Sequence, residues 1–188
     1  MKKSSIYNYG SDTIETWGDN ALGMLAEDHS TAENSGSIIT HGVGSHGIVA
    51  KDLSDAENSG TITTLGDGSH GMHGLAESTI RNLGSGEIVT SGDNSIGMIA
   101  EEFSTASNSG TITTKGTGSH GMRALLGSTI RNLGSGEIVT SGDNAIGMIA
   151  EDSASSAMNN GSIRTGGTGS HGMKALGGSS INNLASGD

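Results

Sequence analysis

The chain has 188 residues, including 33 Gly but no Pro and no Cys, so disulfide staples are excluded. Its formal net charge of -11 argues against nucleic acid or an anionic membrane surface as a partner. No apolar run approaches the ~20 residues of a membrane span, and we expect no direct membrane insertion.

An internal repeat organises the whole chain. Residues 134–150 read GSGEIVTSGDNAIGMIA, and residues 84–100 differ from them at one position. Glycines mark the phase of the repeat at spacings of 24 to 26 residues, and they are Gly36, Gly60, Gly86, Gly110, Gly136, Gly161 and Gly187. So much Gly is typical of a disordered chain, but a fixed phase over about seven copies indicates a solenoid instead.

The first element of each copy is a short segment in which Ile or Ala is followed two residues later by Asn. Residues two apart lie on one face of a strand, so both columns are predicted to face inward. A primary amide both donates and accepts hydrogen bonds, so stacked amides can bond along the axis of the solenoid. The predicted structural Asn ladder consists of Asn8, Asn34, Asn58, Asn82, Asn108, Asn132, Asn159 and Asn183.

The second element has the pattern G-x-I-x-T. Its Ile column runs from Ile14 to Ile163, and its Thr column, from Thr16 to Thr165, shares the inward parity. A Gly-rich corner follows, and we interpret its bracketing glycines, such as Gly142 and Gly147, as residues with positive φ.

Two corner types carry candidate metal chemistry, and we predict no metal or other cofactor at either. The GDN corners at Asp19, Asp93 and Asp143 resemble calcium turns, but the nonapeptide calcium pattern is missing. His46 and His70 share one column on adjacent GSHG corners, where two imidazoles are candidate ligands. The same column holds isoleucine in other copies, which favours apolar packing.

The third element has the pattern G-M-x-A, with a Met column from Met24 to Met173. The residue between Met and Ala is predicted to point outward. Its apolar members form a candidate surface contact ridge, consisting of Leu25, Val49, Ile99 and Ile149. Adjacent acidic residues follow, such as Glu101 with Glu102, and their opposite directions favour a solvated corner over a hydrolase dyad.

Three such short segments in ~25 residues leave no room for helical repeats. The sequence therefore predicts an all-β fold, a single-stranded right-handed parallel β-helix (β-solenoid) of about seven coils of 24–26 residues with three short strands per coil. Residues 1–188 are expected to form a single repeat array.

Units such as NSGTITTKGTGSHGM and GEIVTSGDNAIGMIA resemble the passenger repeats of bacterial autotransporter and related haemagglutinin-like surface adhesins. The resemblance implies a cell-surface or secreted location. It also implies a signal peptide, a longer passenger and a C-terminal membrane barrel, and since this sequence shows none of them we expect a fragment-like array.

The favoured function is that of a non-enzymatic structural and adhesive segment, with a host-surface or matrix protein or glycan as partner. A carbohydrate-active enzyme is disfavoured because four aromatic residues provide little for a sugar-binding groove. An ice-binding solenoid is a further alternative, but outward Thr pairs occur only at Thr61 with Thr63 and at Thr111 with Thr113. Residues 4–12 align with residues 179–188, which predicts self-association through the coil ends.

Overall fold

The computed structural model describes residues 3–184 and contains no helix in that range, hence none that could span a membrane. Its 22 strands form three parallel sheets, and the chain passes from the first sheet to the second and then to the third in every coil. The predicted all-β solenoid with three strands per coil is confirmed.

The first sheet collects the strands that end in Asn. They are β1 (Ser5–Asn8), β4 (Thr31–Asn34), β7 (Asp55–Asn58), β10 (Thr79–Asn82), β13 (Thr105–Asn108), β16 (Thr129–Asn132), β19 (Ser156–Asn159) and β22 (Ser180–Asn183). The second sheet collects the strands that end in Thr. They are β2 (Thr13–Thr16), β5 (Ser37–Thr40), β8 (Thr61–Thr64), β11 (Glu87–Thr90), β14 (Thr111–Thr114), β17 (Glu137–Thr140) and β20 (Ser162–Thr165).

The third sheet collects the strands that contain the Met column. They are β3 (Leu22–Ala26), β6 (His46–Ala50), β9 (Met72–Gly74), β12 (Ile96–Ala100), β15 (His120–Ala124), β18 (Ile146–Glu151) and β21 (His171–Leu176). In each sheet, a strand pairs with the equivalent strand one coil away, so like residues lie over one another, as Met98 does over Met122.

The central core is built from the inward Ile, Met and Ala columns. Ile88, Met98 and Ala106 of one coil are each fully buried, and the equivalent residues above and below continue the same cluster. Burial falls off in the last coil, where Ile163 and Met173 are only partly buried. The inward parity predicted for the Thr column is confirmed between Thr40 and Thr140, since these side chains are at most 1% exposed.

The simple alternation breaks at one glycine near the start of the third-sheet strands, a local kink that recurs in register in the paired strands and that we call the bulge. Strand pairing matches Ile96 with His120 and Met98 with Met122 but leaves out Gly97. A Cβ at Gly97 would point inward and collide with the side chain of Ile112, while Met98 also belongs to the core. Because two successive residues face inward, the residues on either side of them, 96 and 99, both face outward.

The interpretation of the corner glycines as positive-φ residues is wrong for Gly116, Gly121, Gly142 and Gly147, none of which has positive φ. The left-handed positions lie between them, for example at Asn144, with φ of 55°. The bracketing glycines are needed for space instead. A Cβ at Gly142 would collide with the carbonyl of Gly116 one coil away.

Candidate functional site

The corner between the first and second sheets is held by the Asn column. Each Nδ2 from Asn8 to Asn159 donates to the Oδ1 of the next Asn along the axis at 2.7 to 2.9 Å. The same Nδ2 donates to a backbone carbonyl of its own turn, as Asn108 does to Gly110 at 3.1 Å. The side chains of Asn8 through Asn159 are at most 6% exposed, and Asn183 is exposed in the last coil. These residues bind one another, so they are scaffold.

The other two corners contain serine ladders that the sequence analysis missed. At the corner between the second and third sheets, the Oγ atoms of the column accept the backbone N–H of the preceding coil at 2.9 to 3.1 Å, and the column consists of Ser45, Ser69, Ser95, Ser119 and Ser170. At the corner that returns to the first sheet, the column consists of Ser54, Ser78, Ser104 and Ser128, with the same bond at 3.0 to 3.1 Å.

The signal for these ladders was present in the sequence. Serine recurs at one position before five of the seven third-sheet strands and at another before each first-sheet strand, and between neighbouring copies its spacing follows that of Asn, 24 to 27 residues. Because serine is common in ordinary loops, its recurrence at a fixed position does not by itself predict that the side chain is buried. Ser69, Ser95 and Ser104 are at most 1% exposed.

The outer face of the third sheet carries stacked histidines and two pairs of oppositely charged partners, and it is the candidate functional site. The bulge places two columns side by side on it, one through Ile96 and the other through Ile99. The second column is the candidate contact ridge, and its interpretation as an exposed surface is wrong for three members. Val49, Ile99 and Ile149 are 6%, 3% and 2% exposed, whereas Leu25 is 37% exposed.

The ridge is covered because neighbouring columns and coils supply long or planar side chains. His73 occupies the ridge position between Val49 and Ile99. Its Nε2 lies 2.9 Å from Glu101 Oε2, at the edge of the same face. One coil beyond Ile99 on the other side, Arg123 donates from a guanidinium nitrogen to Glu151 at 2.9 Å. The outward ridge is therefore a mixed column in which His73 and Arg123 lie beside the buried apolar members.

Three imidazoles meet at this face. The rings of His46 and His70 are stacked with centroids 4.8 Å apart and an interplanar angle of 5°. His73 packs its edge against both, at 5.5 Å from His46 and 5.7 Å from His70. We call these three residues the His cluster.

The imidazoles of this column complete the backbone hydrogen bonding at the bulge. His46 Nδ1 accepts the backbone N–H of His70 at 3.0 Å, and His70 Nδ1 accepts that of Ile96 at 3.2 Å. His120 Nδ1 does the same for Ile146 at 3.2 Å. Where the preceding coil has isoleucine instead, the N–H of His120 turns to the carbonyl of Ser95 at 3.0 Å. Each accepting Nδ1 must carry no proton, which fixes the neutral Nε2–H tautomer.

Burial shifts the titration of these rings toward acid. Desolvation, with the positive charge that His73 can carry nearby, lowers the pKa of His46 to about 4. Desolvation together with the neighbouring His46 lowers the pKa of His70 to about 3. The pKa of Glu101 is lowered chiefly by the hydrogen bond from His73. At neutral pH the face therefore holds neutral stacked imidazoles beside a carboxylate.

Among the described residues, no group of three or more His, Asp or Glu side chains could hold a metal ion. The Nδ1 atoms of His46 and His70 are already used as acceptors. In the GDN corners, Asp93 Oδ1 accepts the backbone N–H of Thr117 at 2.7 Å, and Asp143 does the same for Thr168 at 2.7 Å. These carboxylates cap the corner of the next coil.

A cavity of about 490 Å³ lies in the last described coil and is lined by residues such as Asn159, Ile163 and Met173, with no aromatic or titratable side chain in its lining. Three of the four aromatic residues lie in the first coil, where Tyr7 stacks on Tyr9 at 5.2 Å and Trp17 stacks on His41 of the next coil at 3.8 Å.

Comparison with protein-family models matches residues 1–84 and 38–187 to the BigA third pectate lyase-like domain. The chain belongs to this family. The BigA domain is a bacterial surface protein domain, so the expected context of a surface protein is supported at this coarser level. Comparison with curated proteins and comparison with solved structures each give no significant match.

Proposed function

We propose that this BigA-type domain is a non-enzymatic structural and adhesive segment of a bacterial cell-surface or secreted protein, of the autotransporter passenger type. The observation that carries the proposal is the use of polar residues. The three corner ladders turn their repeated Asn and Ser side chains inward, where they bind the neighbouring coil, and this supports the role of a structural stalk. Sequence variation falls on the outer columns, which are the ones a partner can reach.

An enzymatic role as a carbohydrate-active protein is the weaker candidate. The words pectate lyase-like in the family description refer to a fold that hosts several functions. Catalysis needs titratable groups that converge on a cavity. In the His cluster, titratable groups do converge. Two of its three rings, however, already accept hydrogen bonds from backbone N–H groups, and this disfavours a catalytic role for them.

An ice-binding role rests on the outer face of the second sheet. Thr61 with Thr63 and Thr111 with Thr113 are half-buried pairs on that face. Strand β11 lies between them and carries Glu87 and Val89 at the same positions. The charged side chain interrupts the flat hydroxyl array, which supports the structural and adhesive role over this one.

The three roles are separated by one set of assays on the purified chain. We expect binding to a panel of glycans and matrix proteins at neutral pH, no release of reducing ends or unsaturated products from pectate or other polysaccharides, and no thermal hysteresis. Product release that survives repeated purification would overturn the non-enzymatic proposal. Absence of binding to the whole panel and to host cells would remove the adhesive part and leave a stalk.

A further inference from the structure

Val49 and Ile99 form a latent apolar strip on the outer face of the third sheet. Both lie outside the central core cluster, and both point away from it. They are nevertheless 6% and 3% exposed. Their burial therefore depends on what lies over them, and not on the packing inside the solenoid.

The His cluster provides the cover at this point. His73 separates Val49 from Ile99 along the ridge, and the His46–His70 stack borders the same strip in the adjacent column. Both stacked rings also hold backbone N–H groups at the bulge, those of His70 and Ile96. The position of the covering rings and the hydrogen bonding of the backbone at the bulge therefore depend on the same two atoms, Nδ1 of His46 and Nδ1 of His70.

Protonation is incompatible with this arrangement for two physical reasons. A proton on Nδ1 turns the acceptor into a donor that faces another N–H. Two imidazolium rings at a centroid distance of 4.8 Å would also repel each other. Among the charged groups that face the cluster, Arg123 and a protonated His73 add to the repulsion of His70, and Glu101 is the counter-charge, already bonded to His73.

We propose that the His cluster is an acid-operated cover. On protonation, His46 and His70 release the backbone N–H groups at the bulge, the cluster separates, and Val49 and Ile99 become exposed to solvent. The opening does not depend on the proposed function.

The direction and range of the pH response follow from linkage. The closed form binds protons with pKa values of about 4 at His46 and about 3 at His70, while an opened, hydrated imidazole titrates near 6.5. The open form therefore binds more protons below about pH 6.5, and acid favours opening until the closed form also titrates. At pH 5 this amounts to a shift of the open-to-closed ratio of about thirty-fold for each histidine.

Hydrogen exchange at single amides tests the proposal. Between pH 7.5 and pH 5.0, the protection factors of the His70 and Ile96 amides should fall by more than about a hundred-fold. The His120 amide is the internal control, because it lies in the same column but donates to a carbonyl, that of Ser95. An equal loss at all three amides, or no loss at His70 and Ile96, would overturn the proposal.

The matched variant is His46→Asn with His70→Asn. Asn places its Oδ1 as many bonds from Cα as Nδ1 of His, so it keeps an acceptor but does not titrate. The variant should hold protection at pH 5.0, and its binding of an apolar dye should be the same at pH 7.5 and pH 5.0, whereas the parent should bind the dye at pH 5.0 only. Acid-dependent dye binding that persists in the variant would show that the cover is not the His cluster.

If the double variant fails to fold, NMR titration of the histidines in the unsubstituted chain tests the proposal instead. His46 and His70 should be Nε2–H tautomers at pH 7.5 and stay neutral at pH 5.5. Titration of both rings near pH 6.5 in the folded chain would overturn the proposal. Binding of glycans or matrix proteins at pH 7.5 is measured separately, so loss of the adhesive role is distinguishable from failure of the cover.

Discussion

A primary amide suits the Asn corner because one side chain serves both directions of the axis at once. Asn108 accepts from Asn82 and donates to Asn132, and it also donates to the carbonyl of Gly110. A hydroxyl also donates and accepts, but it has one proton, whereas the amide offers two N–H donors and an acceptor oxygen; Gln offers the same set on a longer side chain. Residue identity at the corner therefore follows from hydrogen-bond capacity in a space closed to water.

Replacing Asn108 by Ala should lower the free energy of unfolding by about 1 to 3 kcal/mol, because Asn82 loses its acceptor and Asn132 its donor in a buried site. Chemical denaturation measures the loss. Ser107→Ala on the outer side of the same strand is the matched control and should cost less than about 0.5 kcal/mol. Equal midpoints for the two variants would contradict the energetic role of the ladder.

Gly121 lies at the bulge, and a Cβ there would collide with the Ile138 side chain and meet the carbonyl of Gly147. Gly121→Ala should therefore destabilise the fold by about 1 to 3 kcal/mol or more, because an added methyl group overpacks the core. Gly84→Ala is the control, since Gly84 has open space and no positive φ. Thermal unfolding of both variants checks this, and a harmless Gly121→Ala would mean that the coils can move apart locally.

At the scale of the strand, period-two alternation predicts which columns face inward, but it does not predict which of the outward residues are exposed. It placed the Ile, Thr, Met and Asn columns correctly inward, because a strand without a bulge obeys it. It could not reveal the bulge, since Gly97 has no side chain to show its direction in the sequence. Without the bulge, residues 96 and 99 would lie on opposite faces, and the covering of the ridge by His70 and its neighbours could not be foreseen.

The revised ridge has a direct test. Ile99→Asp with Ile149→Asp should destabilise the chain by at least about 3 kcal/mol, because both carboxylates would replace side chains that are 3% and 2% exposed. The control pair is Ser107→Asp with Met158→Asp, which lie half-buried on the outer face of the first sheet. A double ridge variant as stable as its control would restore the interpretation of an exposed surface.

At the scale of the whole molecule, the described coils form an open-ended stack. The axial bonds of the Asn ladder begin at Asn8 and reach Asn183, and the edge cavity of the last coil is lined by residues of the core and ladder columns. The last residues of the predicted repeat match, including the phase marker Gly187, lie outside the described range. The overall architecture could be predicted from sequence because the coils bury the same residue types, mainly Ile, Met and Asn, at the same positions of the repeat.

For the 188-residue chain we expect concentration-dependent, salt-promoted head-to-tail oligomers, since the first and last described coils present equivalent columns and salt screens the net charge of -11. Sedimentation velocity across salt and concentration measures this. Ile181→Pro should block assembly by removing a strand donor in β22, while Ile181→Val should not. A monomer at every salt and protein concentration would contradict head-to-tail assembly.

Ala145 occupies the place of a serine in one ladder, and there the N–H of Ser119 bends back to Gly116 at 3.3 Å. Under load this defect matters more than at rest, since each coil is held only by its neighbours and a pulled solenoid peels one coil at a time. Each detached coil releases ~25 residues, or roughly 80 to 90 Å of slack. Strands β20 to β22 lie beyond Ala145 and consist of half-buried and exposed residues. We therefore expect this coil to detach under load before the inner coils, and the domain to act as an extensible tether.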